Sequence, residues 1–554
     1  MTEEQVSFWR RNRWLAWLAG SGLFLLTVAA GVMSVVLHHA EPYVRVRIVA
    51  ALEQHFHARV ELDSFHMSLT NGLWAEGKGL RIWPPDSAAQ PTPGSQPLIH
   101  LAEFRFHAPL HYMQGGPIRI SVVQLKGLEV DLPPRSRFAL VSHDTANAKE
   151  SHSSGTGLLQ FKIGSIACTG ARLMLETDKP GKQPLVFAIA RLTLTDVSSG
   201  GTMGFKAELT NPRPKGTILT RGSFGPWMVD DPGATPISGD YNFEHADLAT
   251  FRSIAGTLDS AGHFQGVLRN LTVDGETRTP NFQLSHFGNP LPLRTRFHAR
   301  VDATNGNTWL DPVEATLGHS HFIARGEIVR VAPARNGSVI IRTGGHDIDL
   351  TVNVDRGHIE DFLLLASRST TPLLTGPVTM KTSLQIPPGS ASLRERLKMN
   401  GDFLLDEAQF TSAKIQDRIQ ELSLRAQGRP GDVKTADAEQ TTSTMQGDFQ
   451  IANGVVTLPA LQYTVPGAQI NLKGTYHLEG GAMYFLGHAR MQAKVSQMVG
   501  GWKGLLLKPV DRYFQKNGAG TEVPIHIEGT RENPDFGIDF DRMKTTSAQR
   551  PGGP

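Results

Sequence analysis

Two His-x-His pairs, His55-Phe56-His57 and His319-Ser320-His321, are the side chains of this sequence best spaced for metal chemistry. On a strand, residues i and i+2 share a face, so each pair could offer two imidazoles to one ion. Neither pair has a Cys, Asp or Glu placed to complete a ligand set, and the 21 histidines are scattered along the chain. No metal site is expected. Ser142-His143-Asp144 brings together the residue types of a nucleophilic triad, but in a polar stretch without large apolar residues. The single cysteine, Cys168, lies in FKIGSIACTGARLML, which reads as a strand, so a buried, inert thiol is expected. Asp347 and Asp349 occupy polar positions of an alternating strand. No G-x-S-x-G, P-loop, HExxH or dinucleotide fingerprint occurs. These residues predict neither an enzyme nor a bound cofactor.

The elements that would position such side chains begin with an uncharged stretch, Trp14–Leu37. About 20 apolar residues in a helix cross a bilayer core, so this stretch is long enough to span one. Arg10, Arg11 and Arg13 precede it, which favours an inside N-terminus. The rival reading is a cleavable signal peptide, with Val28-Ala29-Ala30 as the cleavage site. Such peptides have apolar regions of about 7–15 residues, shorter than this one. Lys+Arg number 55 and Asp+Glu 52, a net charge of +3 with no basic stripe, so nucleic acid is not an expected partner. With 56 Gly, 34 Pro and 19% charged residues, the composition suits many strands and turns.

Residues 1–13 read as a tail and 14–37 as the anchor. Residues 38–141 hold a short helix, Pro42–His55, and the first strands, of which Leu98–Phe106 alternates apolar and polar almost without error. Residues 142–157 read as a flexible linker or hairpin insert, 158–246 as a middle β region and 247–545 as a C-terminal β region. Residues 546–554 read as a disordered tail. No alternation of strand and helix appears, which argues against a parallel doubly wound sheet. Further helical patterns are few: His245–Gly256, Arg356–Ser367 and Gln492–Lys516. In the last, Trp502, Leu505 and Leu506 alternate with Lys503 and Lys508. That is the pattern of a basic amphipathic helix on an anionic membrane surface, and packing on the end of the sheet is the competing use.

Two segments align without a gap, Val313–Gly326 and Leu461–Gly474. Phe322 matches Ile470, Ala324 matches Leu472 and Gly326 matches Gly474. Each reads as a strand, a tight turn and a second strand, and such repetition suggests a sheet extended by like units.

The anchor followed by LEQHFHARVELDSFHMSL, then ADLATFRSIAGTLDSAGHFQGVL, LDPVEATLGHSHFIARGEIVR and PALQYTVPGAQINLKGTYHLEGGAMYFLGHARMQAKVSQ, resembles the AsmA-like family of envelope proteins. The resemblance covers most of the chain and is best after Asp247. It implies a mainly β fold: a transmembrane helix, then a long, strongly bent antiparallel sheet forming an apolar groove, with a few short helices. It also implies an inner-membrane protein with a cytoplasmic N-terminus and a periplasmic bulk, which moves phospholipid passively between inner and outer membranes. Phe322, Ala324, Ile470 and Leu472 are the expected groove-lining residues, and packing of a β-sandwich core is their competing use. The alternative function is an envelope assembly factor that binds outer-membrane proteins by strand addition.

Overall fold

The computed structural model describes residues 41–50, 52–53, 58–68, 73–83, 96–108, 118–132, 161–175, 184–197, 201–226, 228, 231–251, 253–284, 288–331, 335–336, 339–340, 345–389, 391–434, 443–499, 508, 511, 520–530 and 533–538. The predicted anchor, the polar stretch 142–157 and His55-Phe56-His57 lie outside the described residues. No helix among the described residues is long and apolar enough to cross a membrane. The protein is mainly β, as expected, with few short helices. It divides into two units, Met1–Gly239 and Asp240–Pro554.

The first unit carries β1 (Val60–Ser68), β2 (Leu73–Ile82), β3 (Ile99–Ala108), β4 (Ile118–Leu132), β5 (Phe161–Leu175), β6 (Leu185–Val197), β7 (Met203–Pro212) and β8 (Lys215–Phe224). They pair in chain order, and every pair is antiparallel except β4 with β5. That one parallel ladder corrects the purely antiparallel expectation. A hairpin cannot join parallel strands; they need a crossover of about a dozen residues or more, and 133–160 supplies that length.

Partners across a ladder share a face, so the register sorts side chains into rows. Phe65, Gly77, Phe104, Leu125, Cys168 and Leu192 form one apolar row. Across the irregularity at the left-handed Gly79, Gly127 and Gly170 the alternation changes sides, so Glu61, Arg81, His100, Glu129 and Arg172 form a charged row on the opposite face. Cys168 is 2% exposed, and burial pushes its thiol pKa up, as an inert core position requires. Phe104 lies over Gly77, where a Cβ would come within 2.2 Å of the ring.

Residues 41–50 form the predicted helix. Val44, Ile48 and Val49 pack on the cluster of Leu62, Phe65 and Ala75. The same segment ties down the outer edge of β1. Glu41 accepts from the Met67 amide at 2.9 Å, Glu53 from the Val60 amide at 3.3 Å, and Arg45 donates to the Leu62 carbonyl. Side chains thereby satisfy backbone groups that an open edge would offer to another strand.

The second unit takes in β9 (Pro236–Asp247) from Asp240 onward, followed by β10 (Ile254–Ala255), β11 (Thr257–Val267), β12 (Asn270–Leu284), β13 (Leu291–Asp302), β14 (Asn307–Leu317) and β15 (Ser320–Val331). After a two-residue hairpin, β16 (Arg335–Asn336) and β17 (Val339–Ile340), come β18 (Gly345–His358), β19 (Leu374–Thr375), β20 (Pro377–Ile386) and β21 (Lys398–Phe410). The last six are β22 (Ser443–Ala452), β23 (Val455–Val465), β24 (Ala468–His477), β25 (Ala482–Met491), β26 (Thr521–Thr530) and β27 (Pro534–Ile538). From β11 to β27 the long strands pair antiparallel in chain order, with β15 passing directly to β18 and β18 to β20.

The helices differ from expectation in three places. His245–Gly256 is not a helix: β9 runs to Asp247, whose carboxylate caps a single 3-10 turn, Leu248–Thr250. The Leu248 amide then bonds to the Gly256 carbonyl at 2.9 Å, so strand pairing takes the donors a helix would need. Arg356–Ser367 is helical only over Ile359–Leu365, because Gly357 and His358 still pair with β20. The longest described helix, Ala413–Ala426, is not among those expected, although Ile415, Ile419, Leu422 and Ala426 recur at helical spacing; its buried face also holds Gln416, Gln420 and Ser423 beside Ile419 and Leu424. Within Gln492–Lys516, the described helix is Val495–Met498.

Candidate functional site

The repeated segments build two hairpins of the same design. In β14–β15, Ala315 faces Phe322 and Val313 faces Ala324; in β23–β24, Tyr463 faces Ile470 and Leu461 faces Leu472. Each ladder has a register shift at the corresponding point, between Leu310 and Val313 and between Leu458 and Leu461. The gapless sequence match is therefore a match of cross-strand register.

Register then joins the two hairpins. Phe322 faces Val354, which faces Met380, then Phe403, Gly447, Leu461 and Leu472. The row continues through Gly487, Ile525 and Ile538. Phe322 and Leu472 thus occupy one row, six ladders apart, or about 29 Å at about 4.8 Å per strand. Ala324 lies in the next row with Val313, Val352, Thr382 and Gly401, and beyond it run Leu350, Leu384, Met399, Ile451 and Val456. Val354 and Ala324 are buried, at 1% and 8% exposure, whereas Phe322, Leu472, Leu350, Leu384 and Met399 are all half-buried. A sandwich core would bury these side chains under a second sheet, and among the described residues no second sheet packs on them.

The opposite face is polar. His298 Nδ1 lies 2.7 Å from Asp274 and His321 Nδ1 lies 2.9 Å from Asp355. The Trp309 indole donates to Glu327 at 3.0 Å, while the Arg300 guanidinium sits 5.4 Å from its ring centre. This face is solvated and paired, so the two sides of the sheet offer different chemistry to a ligand.

Helices bound the apolar strip at the hairpin tips. Ile470 lies two residues from Leu472 and so on the same face. It packs, with Tyr463, Val465 and Ala468, against Ile419 and Ala426 of the helix Ala413–Ala426. Ser423 Oγ donates to the Pro466 carbonyl at 2.7 Å. At the first hairpin, Asp361 of the helix Ile359–Leu365 accepts from Ser320 Oγ at 2.7 Å and from the His319 amide at 2.9 Å. The C-terminal end of that helix is held by Asn289, whose side chain donates to Leu364, Ser367 and Ser369 carbonyls. Each rim helix thus seals one margin and leaves the strip beyond it half-exposed, apart from the covered Val354.

The other singled-out residues take separate places. His319 lies in the turn near Asp361 and His321 reaches Asp355, so the pair does not converge. Among the described residues no three His, Cys, Asp or Glu side chains group as metal ligands. Trp502, Lys503, Leu505 and Leu506 lie outside the described residues, and Lys508 is exposed. Asp511 accepts from the Ser496 amide and hydroxyl at 2.9 and 2.7 Å. Sequence reasoning missed Val354, Met380, Phe403 and Ile525, which complete the row. Strand alternation marks each of them, but only pairing puts them side by side. Compared with known proteins, the chain matches no family model and no curated protein.

Proposed function

We propose that this protein is a membrane-anchored, non-enzymatic lipid handler of AsmA-like type. Its apolar strip shields acyl chains of phospholipids as they pass between the inner and outer membranes of a diderm envelope. The observation that carries this reading is the row from Phe322 to Leu472, apolar or glycine throughout and half-buried at every position except Val354, which is 1% exposed. Each Å² of apolar surface that a chain covers is worth about 25 cal/mol, so a strip of this length holds an acyl chain by burial alone. Head groups stay in water and the polar face stays outside. The transfer is passive: the strip lowers the barrier to crossing water and supplies no direction. In this reading Phe322, Ala324 and Leu472 line the path and Ile470 lies at its covered margin. Trp14–Leu37 holds the N-terminus in the inner membrane, with the two β units in the periplasm.

Site-specific photocrosslinking of the full chain in its host tests this. A benzophenone side chain at Phe322 or Leu472 is expected to form phospholipid adducts, and one at His298 on the polar face is not. Lipid adducts at neither apolar position would overturn the reading. Adducts dominated by outer-membrane barrel proteins would support strand addition instead. Among the described residues β27 pairs only with β26, whereas the β1 edge is occupied by Glu41, Arg45 and Glu53.

A further inference from the structure

The two most exposed large apolar side chains among the described residues are Tyr43 at 65% and Val46 at 66%. Both lie on the helix 41–50, and neither points at the sheet. Val44, Ile48 and Val49 take that side, against Leu62, Phe65 and Ala75. The outward side holds Tyr43, Val46, Arg47 and Ala50, all exposed and spaced i, i+3, i+4, i+7, which is one continuous helical stripe. The Arg47 guanidinium sits 5.9 Å from the Tyr43 ring centre. The acids of this segment are turned away, since Glu41 and Glu53 accept backbone amides of β1. The outward stripe is therefore apolar and basic, the combination that binds an anionic lipid surface, with tyrosine at headgroup depth and arginine reaching the phosphates.

Chain length says which surface is in reach. Only residues 38–40 separate Leu37, the end of the apolar stretch, from Glu41. At about 3.5 Å per residue the four steps from Leu37 to Glu41 cover at most about 14 Å. The headgroup layer beyond the hydrocarbon core is about 5–8 Å deep. A helix starting within that reach, with an apolar and basic side free of the sheet, meets the bilayer first.

We infer that the outward stripe of helix 41–50 lies in the lipid–water interface of the membrane crossed by Trp14–Leu37, with anionic phospholipid as its partner. The inference rests on the anchor in the proposed function and adds a second contact to it. The inward side of the same helix packs on Leu62, Phe65 and Ala75, where the apolar row of the first unit begins. One helix then touches the bilayer on one side and an apolar row of the first unit on the other, which places that row at the membrane surface.

Spin labelling of the full chain in phosphatidylethanolamine vesicles containing a quarter phosphatidylglycerol tests this. Because Cys168 is the single cysteine, a Cys168→Ala background leaves only the introduced thiol to label. Val46→Cys and Tyr43→Cys report the stripe, and Tyr484→Cys, at an exposed strand position, reports water. The expected result is that oxygen relaxes the labels at 43 and 46 while an aqueous nickel chelate does not, the reverse of 484. If 43 and 46 match 484 in a chain that resists alkaline carbonate, the surface contact is wrong and the anchor stands. If carbonate releases the chain, the anchor fails and the inference falls with it.

Discussion

Truncating Ile470 and truncating Phe322 should have opposite consequences, although the two residues are equivalent in the repeat. Ile470 packs beneath the helix Ala413–Ala426 with Tyr463, Val465 and Ala468. Ile470→Ala leaves a cavity there, and large-to-small changes of this kind cost about 2–5 kcal/mol. Ile470 is only partly buried, so the low end, about 2 kcal/mol, is expected. Phe322 is half-buried, belongs to none of the buried clusters and has no second layer above it. Phe322→Ala leaves no enclosed cavity, and its cost should stay below about 1 kcal/mol. The assay is hydrogen exchange of the full chain, read on the amides of Ala413–Ala426, because two units need not unfold in one step. Ile470→Ala should speed exchange of that helix by about 30-fold, the equivalent of about 2 kcal/mol. Phe322→Ala should leave exchange there unchanged and reduce phospholipid adducts at Leu472. If Phe322→Ala instead costs as much locally as Ile470→Ala, the strip at β15 is a packed core and the argument for an open lipid face fails.

Three other perturbations follow from particular contacts. Gly77→Ala puts a Cβ within 2.2 Å of Phe104, an overpacking worth about 1–3 kcal/mol; a Phe104→Ala background should relieve most of it, measured as coupling in a double-mutant cycle. Asp361→Ala removes the acceptor of the His319 amide and one acceptor of Ser320 Oγ. Ser320 keeps the His358 carbonyl at 3.2 Å, so about 2 kcal/mol is expected, read as faster amide exchange at Leu317–Ser320. The hydrogen bond from His321 holds the Asp355 carboxyl below its ordinary value of 3.8. A depressed folded-state value stabilises above pH 3.8 and loses that contribution as pH falls through the folded-state midpoint. His321→Ala should therefore shift the Asp355 titration upward, seen by NMR of isotope-labelled aspartate; an unmoved midpoint would refute the pairing.

Where sequence reading succeeded and failed, the reason is local versus distant bonding. Ile99–Ala108 was legible as a strand because alternation is a property of the strand alone. The hairpins around Gly318 and Gly467 were legible because a tight turn sets the register of the two strands it joins. The helix Ala413–Ala426 was missed although Ile415, Ile419, Leu422 and Ala426 recur at helical spacing; only its buried Gln416, Gln420 and Ser423 were illegible, because they suit this site only through neighbours distant in sequence. Gln416 accepts from the Phe410 amide and Ser423 donates to Pro466. His245–Gly256 misled because an apolar period of one turn does not outweigh strand pairing with its surroundings.

By itself, the sequence determined the mainly β character, the repeated hairpin and the apolar side chains Phe322, Ala324, Ile470 and Leu472, since period and turn chemistry act over a few residues. Only the tertiary structure decided that β4 and β5 run parallel and that Phe322 and Leu472 share one row. It also decided that Ile470 is roofed by a helix while Phe322 is not. Those outcomes depend on which strands pair and on what packs above them. Both are set by contacts between residues tens of positions apart, where a one-residue slip would turn every side chain to the other face.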